Sequence, residues 1–179
     1  MTAAPWPRAR RPGPGYLLPG CIALLGGCAM AAGDTAMVPA SFDIARRHPG
    51  TVRVEVVGGS DTGALDKPRI SDAAFTRALA ASVLRSGVFP EVAHGTRGDW
   101  VLSVILVRLD QPVVAITATV RLEAGWALKR SDAGSTVWKA VIESRATETG
   151  LGAATEGAAR NNIAEGLARI SRLDLSMQK

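Results

Sequence analysis

The chain has 179 residues, a hydrophobic content of 47% and a formal net charge of +5. This length fits one domain with its own core, and two cysteines are too few for a disulfide-rich scaffold. Three of the 21 Lys and Arg and none of the 16 Asp and Glu lie in residues 1–27. Without that segment the formal charge falls to +2, so the composition gives no support to a nucleic-acid partner.

The first 28 residues have the pattern of an export signal. Three arginines precede an apolar run, 16–25, which is too short for a membrane span and is interrupted by Pro19 and Gly20. The run leads into four residues that resemble the lipobox of bacterial lipoproteins: Leu25, Gly26, Gly27 and Cys28. The resemblance implies that signal peptidase recognises the first three, that residues 1–27 are removed, and that Cys28 receives a diacylglycerol and an N-acyl chain.

The lipobox also predicts where the protein resides. The residue after Cys28 is Ala29 rather than aspartate, which in lipoproteins favours the inner leaflet of the outer membrane, facing the periplasm. The other cysteine, Cys21, lies in the signal, so lipidation leaves no thiol for a disulfide. An unmodified thiol next to an ordinary signal is the alternative. Apart from the lipid, no cofactor is expected.

The segment after the signal is predicted to be a tether. Residues 28–50 are small and polar, contain Pro39 and Pro49, and show no sustained periodicity. Residues 41–44 alternate as in a strand and could pack back on the domain. A folded domain is predicted over 51–175, and 176–179 is predicted to be a tail.

Hydrophobic periodicity predicts an α+β domain. In chain order it predicts a strand over 52–57, a helix from a Ser71 cap to Gly87, a short edge strand near 88–89, strands over 100–107, 116–128 and 136–147, and a helix over 153–173. This order predicts a two-layer sandwich in which an antiparallel sheet of about four strands carries two helices on one face. Gly166 lies on the apolar stripe of the last helix, where it would permit close approach to the sheet.

Three phrases give the domain a family resemblance. They are RALAASVLRSGVF at 77–89, DWVL at 99–102 and EGAARNNI at 156–163. With the predicted layout, they resemble small envelope lipoproteins of the YajG-like type. More remotely, they resemble the auxiliary lipoproteins of ABC-type transport systems and the lipopolysaccharide-assembly lipoprotein. The resemblance implies an accessory protein without catalytic residues.

One face of the predicted sheet is left without a covering layer. Six polar residues would project from it, opposite the helices: Thr117, Thr119, Arg121, Lys139, Glu143 and Arg145. They could be a solvated surface in which Arg121 pairs with Glu143 or Lys139 pairs with Glu123. The alternative is that this face, or an unpaired strand edge, binds a partner.

Apolar residues of the predicted sheet also need cover. Val101, Ile105 and Val107 lie on the same face of their strand, and a tether segment, a second chain or a lipid-like ligand could cover them. Trp100, Trp126 and Trp138 are predicted to point into the core instead.

Residues that could perform chemistry are sparse. His48 and His94 are predicted to be solvated loop residues, and no metal site is predicted. Asp61 and Asp66 share a loop without any sign of a pocket, so an enzyme is not predicted; a hydrolase or transferase would need a cleft with titratable groups in mutual reach.

The function predicted first is a non-catalytic lipoprotein, anchored in the membrane, that acts as an accessory or adaptor subunit in envelope transport or assembly and has an envelope protein as partner. The alternative is a module that binds a lipid, a glycan or a peptidoglycan fragment between sheet and helices. A homo-oligomer is compatible with the exposed strand edge.

Overall fold

The computed structural model describes residues 32–63, 67–95, 97–113 and 115–175. The predicted signal, Cys28 and the tail over 176–179 lie outside the described residues. The elements are a 3-10 turn at Thr35–Met37, β1 (Thr51–Val57), α1 (Asp72–Ser86), β2 (Glu91–Val92), β3 (Trp100–Asp110), β4 (Thr117–Arg130), β5 (Thr136–Thr149) and α2 (Leu151–Ser171). The predicted α+β class and its two helices are confirmed.

The sheet is mixed and five-stranded, in the order β2-β1-β3-β4-β5. β3, β4 and β5 pair antiparallel, as predicted, but β1 lies parallel to both β2 and β3. The prediction of about four antiparallel strands is therefore only roughly right. The reason is the crossover through α1, because a chain that returns along a helix re-enters the sheet in its original direction.

Local signals set the limits of α1. Ser71 is its N-cap, and the Ala74 N–H donates to Ser71 Oγ at 3.2 Å. Gly87 ends the helix with a φ of 67°, a left-handed conformation that glycine adopts without steric cost. Both boundaries agree with the sequence prediction.

The core lies between the sheet and the helices, and Trp126 of β4 is its largest fully buried side chain. The indole Nε1 donates to Asn162 Oδ1 of α2 at 2.9 Å. A Cβ added at Gly166 would lie 2.6–2.7 Å from three carbons of the same ring, which confirms the close approach predicted at this glycine. Trp100 is also buried, whereas Trp138 is only half-buried against the core.

Residues 32–48, here called the strap, run along the two helices. Met37 is fully buried, and the Arg160 guanidinium donates to the Ala36 carbonyl at 3.0 Å. Near the other end, the Ala45 N–H donates to Ser171 Oγ at 3.0 Å. This part of the predicted tether is packed on the domain, because Met37 and neighbouring apolar side chains gain burial against the helices. For residues 41–44 this agrees with the prediction, since Phe42 and Ile44 pack against the core.

His48 corrects a second prediction. Its side chain is only 4% exposed, and its Nε2 lies 2.9 Å from the Ile170 carbonyl oxygen of α2. Its ring lies 5.5 Å from that of Phe89. His48 is therefore a buried residue that closes the strap against the helices, not a solvated loop residue.

Candidate binding face

The six polar residues predicted to project from the sheet are all exposed, on the side away from the helices. This side of the sheet is called the open face. It is opposite the buried side chains of β4, which alternate with the exposed ones along the strand: Ala118, Val120, Leu122, Ala124, Trp126 and Leu128. The strap lies on the helical side, so the described part of the tether does not cover the open face.

The register places like charges side by side on the open face. Arg121 is directly opposite Arg145, and Glu123 is directly opposite Glu143. Lys139 is opposite Ala127, far from Glu123. Within the described residues, none of these charged side chains forms an ion pair, so the two predicted pairings are absent there. On the other side of β4 the register places opposite charges together, Asp110 opposite Arg121 and Arg108 opposite Glu123.

An apolar row crosses the open face next to these charges. Val57, Ile105, Gly125 and Val141 are in register across β1, β3, β4 and β5. The three branched side chains are 54%, 52% and 60% exposed. Val107, at the irregularity of β3, adds a fourth exposed apolar side chain. The predicted lack of cover is therefore found at Ile105 and Val107, whereas Val101 is buried.

A shallow groove of about 450 Å³ lies along the charged residues of the open face. It is lined mainly by charged side chains of three strands: Arg108, Asp110, Arg121, Glu123, Glu143 and Arg145. With the apolar row beside it, the open face offers both hydrophobic area and charges of both signs. Such a surface can bind a protein partner with complementary charges.

The residues considered for chemistry do not come together. His94 and Asp61 are exposed in different loops, and Asp66 lies outside the described residues. In the part of the chain that the structure describes, no three His, Cys, Asp or Glu residues are grouped so as to hold a metal ion.

Two carboxyl groups have a lowered pKa. The hydrogen bond from Arg77, aided by the Thr35 N–H, lowers the pKa of Asp34; the Arg130 guanidinium and the Ala133 N–H lower the pKa of Asp132. Both are exposed ion pairs away from the open face, typical of structural rather than catalytic carboxylates.

No protein-family model and no curated protein matches the chain. Among solved structures, it is similar to protein XCC0632 from Xanthomonas campestris, described as DUF330, with a TM-score of 0.59 and 12% identity over 75% of this chain and 91% of that one. It is also similar to protein CT253 from Chlamydia trachomatis, with a TM-score of 0.54 and 9% identity over 69% and 96% of the two chains. At these identities the likeness shows a shared fold.

A third similar structure is lipoprotein GNA1162 from Neisseria meningitidis, with a TM-score of 0.37 and 13% identity over 54% of this chain and 83% of that one. The described helices include none that is apolar and long enough to traverse a bilayer.

Proposed function

We propose that this protein is a lipoprotein anchored through Cys28 in the inner leaflet of an outer membrane, and that it is a non-catalytic accessory or adaptor subunit of an envelope transport or assembly system. Its open face binds an envelope protein. The lipobox supports the anchor, and the dispersed titratable residues support a non-catalytic role.

The observation that carries the binding role is the uncovered apolar row next to exposed charged side chains. A solvated sheet face gains nothing from aligned Val57, Ile105 and Val141, since each leaves apolar area in water. The exposed charged side chains of both signs beside this row are available to bind complementary charges of a partner. A partner that covers the row removes this apolar area from water.

The packing of the core supports a surface partner over an enclosed ligand. Asn162 and Gly166 of α2 contact or closely approach the buried Trp126 ring, so the layers meet without room for a lipid chain at that point. A ligand-binding module needs an apolar cavity with a few convergent polar groups. The groove on the open face is instead shallow and charged.

Replacing Cys28 by alanine is expected to move the protein from the membrane fraction to the soluble periplasmic fraction. A single acyl chain binds a bilayer only reversibly, whereas three chains bury enough hydrocarbon for stable anchoring. The substitution removes all three chains and with them the anchor. Metabolic labelling with a fatty-acid probe and fractionation measure the two effects. Cys21→Ala is the matched control and should keep both label and membrane. Full labelling of the Cys28→Ala variant would contradict the anchor.

A photo-crosslinker at position 121, 141 or 143 is expected to capture a discrete envelope protein in cells, whereas one at Ala81, exposed on α1, is not. The Arg121→Glu/Arg145→Glu variant should reduce capture from position 141 roughly tenfold, because it reverses the basic pair on the open face. Arg47→Glu/Arg97→Glu makes the same change of charge elsewhere and should not. Equal capture from Ala81 and position 141 would refute a specific face.

A further inference from the structure

The strap places the anchor side of the chain at one end of the domain. At this end both helices begin and β3 and β5 end, and it is called the helix-start end. The Gly33 N–H donates to Glu156 Oε1 of α2 at 2.8 Å, and Arg77 Nε of α1 donates to Asp34 Oδ2 at 2.6 Å. Both partners lie in the second turns of their helices, and Ala32 is already buried.

The distance from Cys28 to this end is limited by covalent geometry. Four Cα–Cα steps separate Cys28 from Ala32, and each spans about 3.8 Å, so the two lie at most about 15 Å apart. A lipid on Cys28 therefore keeps the helix-start end close to the bilayer surface. The opposite end, which contains the β4–β5 turn around Ala133, lies a strand length of 14 residues away.

Among the described residues, the large apolar side chains with the greatest exposure lie at the same end. Val113 and Ile116, in the turn between β3 and β4, are 82% and 86% exposed. The turn is attached to the start of α2, since the Gly150 N–H donates to the Ile116 carbonyl at 2.8 Å. Gln111 Nε2 donates to Thr155 Oγ1 at 2.8 Å and to the Pro68 carbonyl at 2.7 Å, which holds the turn against the loop before α1.

Basic side chains lie near Val113 and Ile116. Lys67, Arg69 and Arg108 line a groove of about 570 Å³ between the loop before α1 and the end of β3, and its described lining residues include no Asp or Glu. Arg108 also pairs with Asp110 at 3.0 Å. The Lys67 ammonium donates to the Gln111 carbonyl and the Arg69 guanidinium donates to Ser60 Oγ, and neither forms an ion pair with another described residue. Within the described residues, two cations without a carboxylate partner thus lie near two exposed apolar side chains.

We infer that the helix-start end docks on a phospholipid surface that carries anionic headgroups. Val113 and Ile116 enter the interfacial layer, and Lys67 and Arg69 face the phosphates, as interfacial segments with apolar and basic residues do. The inference rests on the proposed lipid anchor, which supplies the proximity. It adds an orientation: the strands point away from the lipid, and the open face stays accessible along its whole length.

A single-cysteine experiment tests the orientation. In the mature lipidated protein Cys21 has been removed and Cys28 carries the lipid, so an introduced cysteine is the one free thiol. A polarity-sensitive fluorophore is attached to Ile116→Cys, Ala133→Cys or Val141→Cys, and each protein is reconstituted in phosphatidylethanolamine–phosphatidylglycerol vesicles. We expect a blue shift and quenching by spin-labelled lipid at position 116, and neither effect at positions 133 and 141.

Charge variants test the headgroup contact. Lys67→Glu/Arg69→Glu should remove most of the lipid quenching at position 116, as should replacement of phosphatidylglycerol by phosphatidylcholine or a rise in salt. Arg47→Glu/Arg97→Glu, near the opposite end, is the matched control and should leave the quenching unchanged.

The outcomes separate docking from anchoring. If the protein is bound to vesicles but position 116 is quenched no more than position 133, the docking inference is wrong and the lipid anchor is unaffected. A mass spectrum without lipid on Cys28 overturns the anchor, and the inference with it. The blue shift at position 116 could instead require an added envelope protein and occur without quenching by lipid. The turn would then contact a protein, and that result also overturns the inference.

Discussion

Asn162→Ala is expected to lower the free energy of unfolding by about 3 kcal/mol, because it leaves a buried indole N–H without its acceptor. Asn162 is fully buried, and its Oδ1 accepts the Trp126 Nε1 hydrogen bond at 2.9 Å. Its Nδ2 donates to the Ile142 carbonyl at 2.9 Å and to Ser144 Oγ at 3.2 Å. For a domain of this size the change corresponds to a drop of about 10 °C in Tm, measured by thermal or chemical denaturation.

The adjacent asparagine supplies the control. Asn161 is exposed and donates one hydrogen bond, at 2.9 Å, to the Arg145 carbonyl. Asn161→Ala should therefore cost less than about 1 kcal/mol. A similar loss in both variants would show that the buried network does not stabilise the fold.

A double-mutant cycle isolates the indole contact. Trp126→Phe removes the N–H donor, so in that background Asn162→Ala no longer leaves an unpaired donor in the core. Its cost should then fall by about 1–2 kcal/mol relative to the wild-type background. Strict additivity of the two substitutions would contradict the proposed role of the hydrogen bond between Trp126 and Asn162.

Local patterns were sufficient to predict much of the domain. The alternation along β4 identified its buried and exposed sides, because successive side chains of a strand point to opposite faces. Ser71 and Gly87 identified the limits of α1, because caps depend on one or two residues. The exposure of the six polar residues on the open face follows from the same alternation.

The errors concern contacts between distant parts of the chain. His48 bonds to Ile170, 122 residues away, and no pattern near His48 indicates this contact. The strap is similar in part: packing on the domain was predicted for residues 41–44 alone, whereas the burial of Met37 depends on a groove formed by two helices. The direction of β1 relative to β3 likewise depends on the crossover through α1, not on either strand alone.

The sequence predicted which residues are exposed on the open face but not which of them are neighbours. Alternation decides which side of the sheet a residue faces, whereas register decides its neighbours, and a hairpin loop of uncertain length leaves register open. The sequence therefore suggested Arg121 beside Glu143, while the actual register places Arg121 between Arg145 of β5 and Asp110 of β3. The apolar row through Val57, Ile105 and Val141 requires the register of four strands, although Val141 already departs from the polar alternation of β5.

Gly166→Ala is expected to destabilise the domain by about 2 kcal/mol, although the same change within a helix normally stabilises by about 1 kcal/mol. The new methyl would lie 2.6–2.7 Å from Trp126 ring carbons, well inside the contact distance of about 3.5–4 Å. The ring is buried and is held by Asn162, so it cannot move aside without loss of that bond. Overpacking of this kind costs about 1–3 kcal/mol.

Gly152→Ala in the same helix is expected to change the stability in the opposite direction. A Cβ at Gly152 would have no neighbour within 4 Å among the described atoms, so helix propensity alone should raise the stability by about 0.5 kcal/mol. Denaturant midpoints of the two variants measured side by side test the difference. In a Trp126→Leu background the penalty at Gly166 should vanish, since the ring that the methyl meets is gone. A penalty that persists there would mean that the ring is not what excludes a side chain at this position.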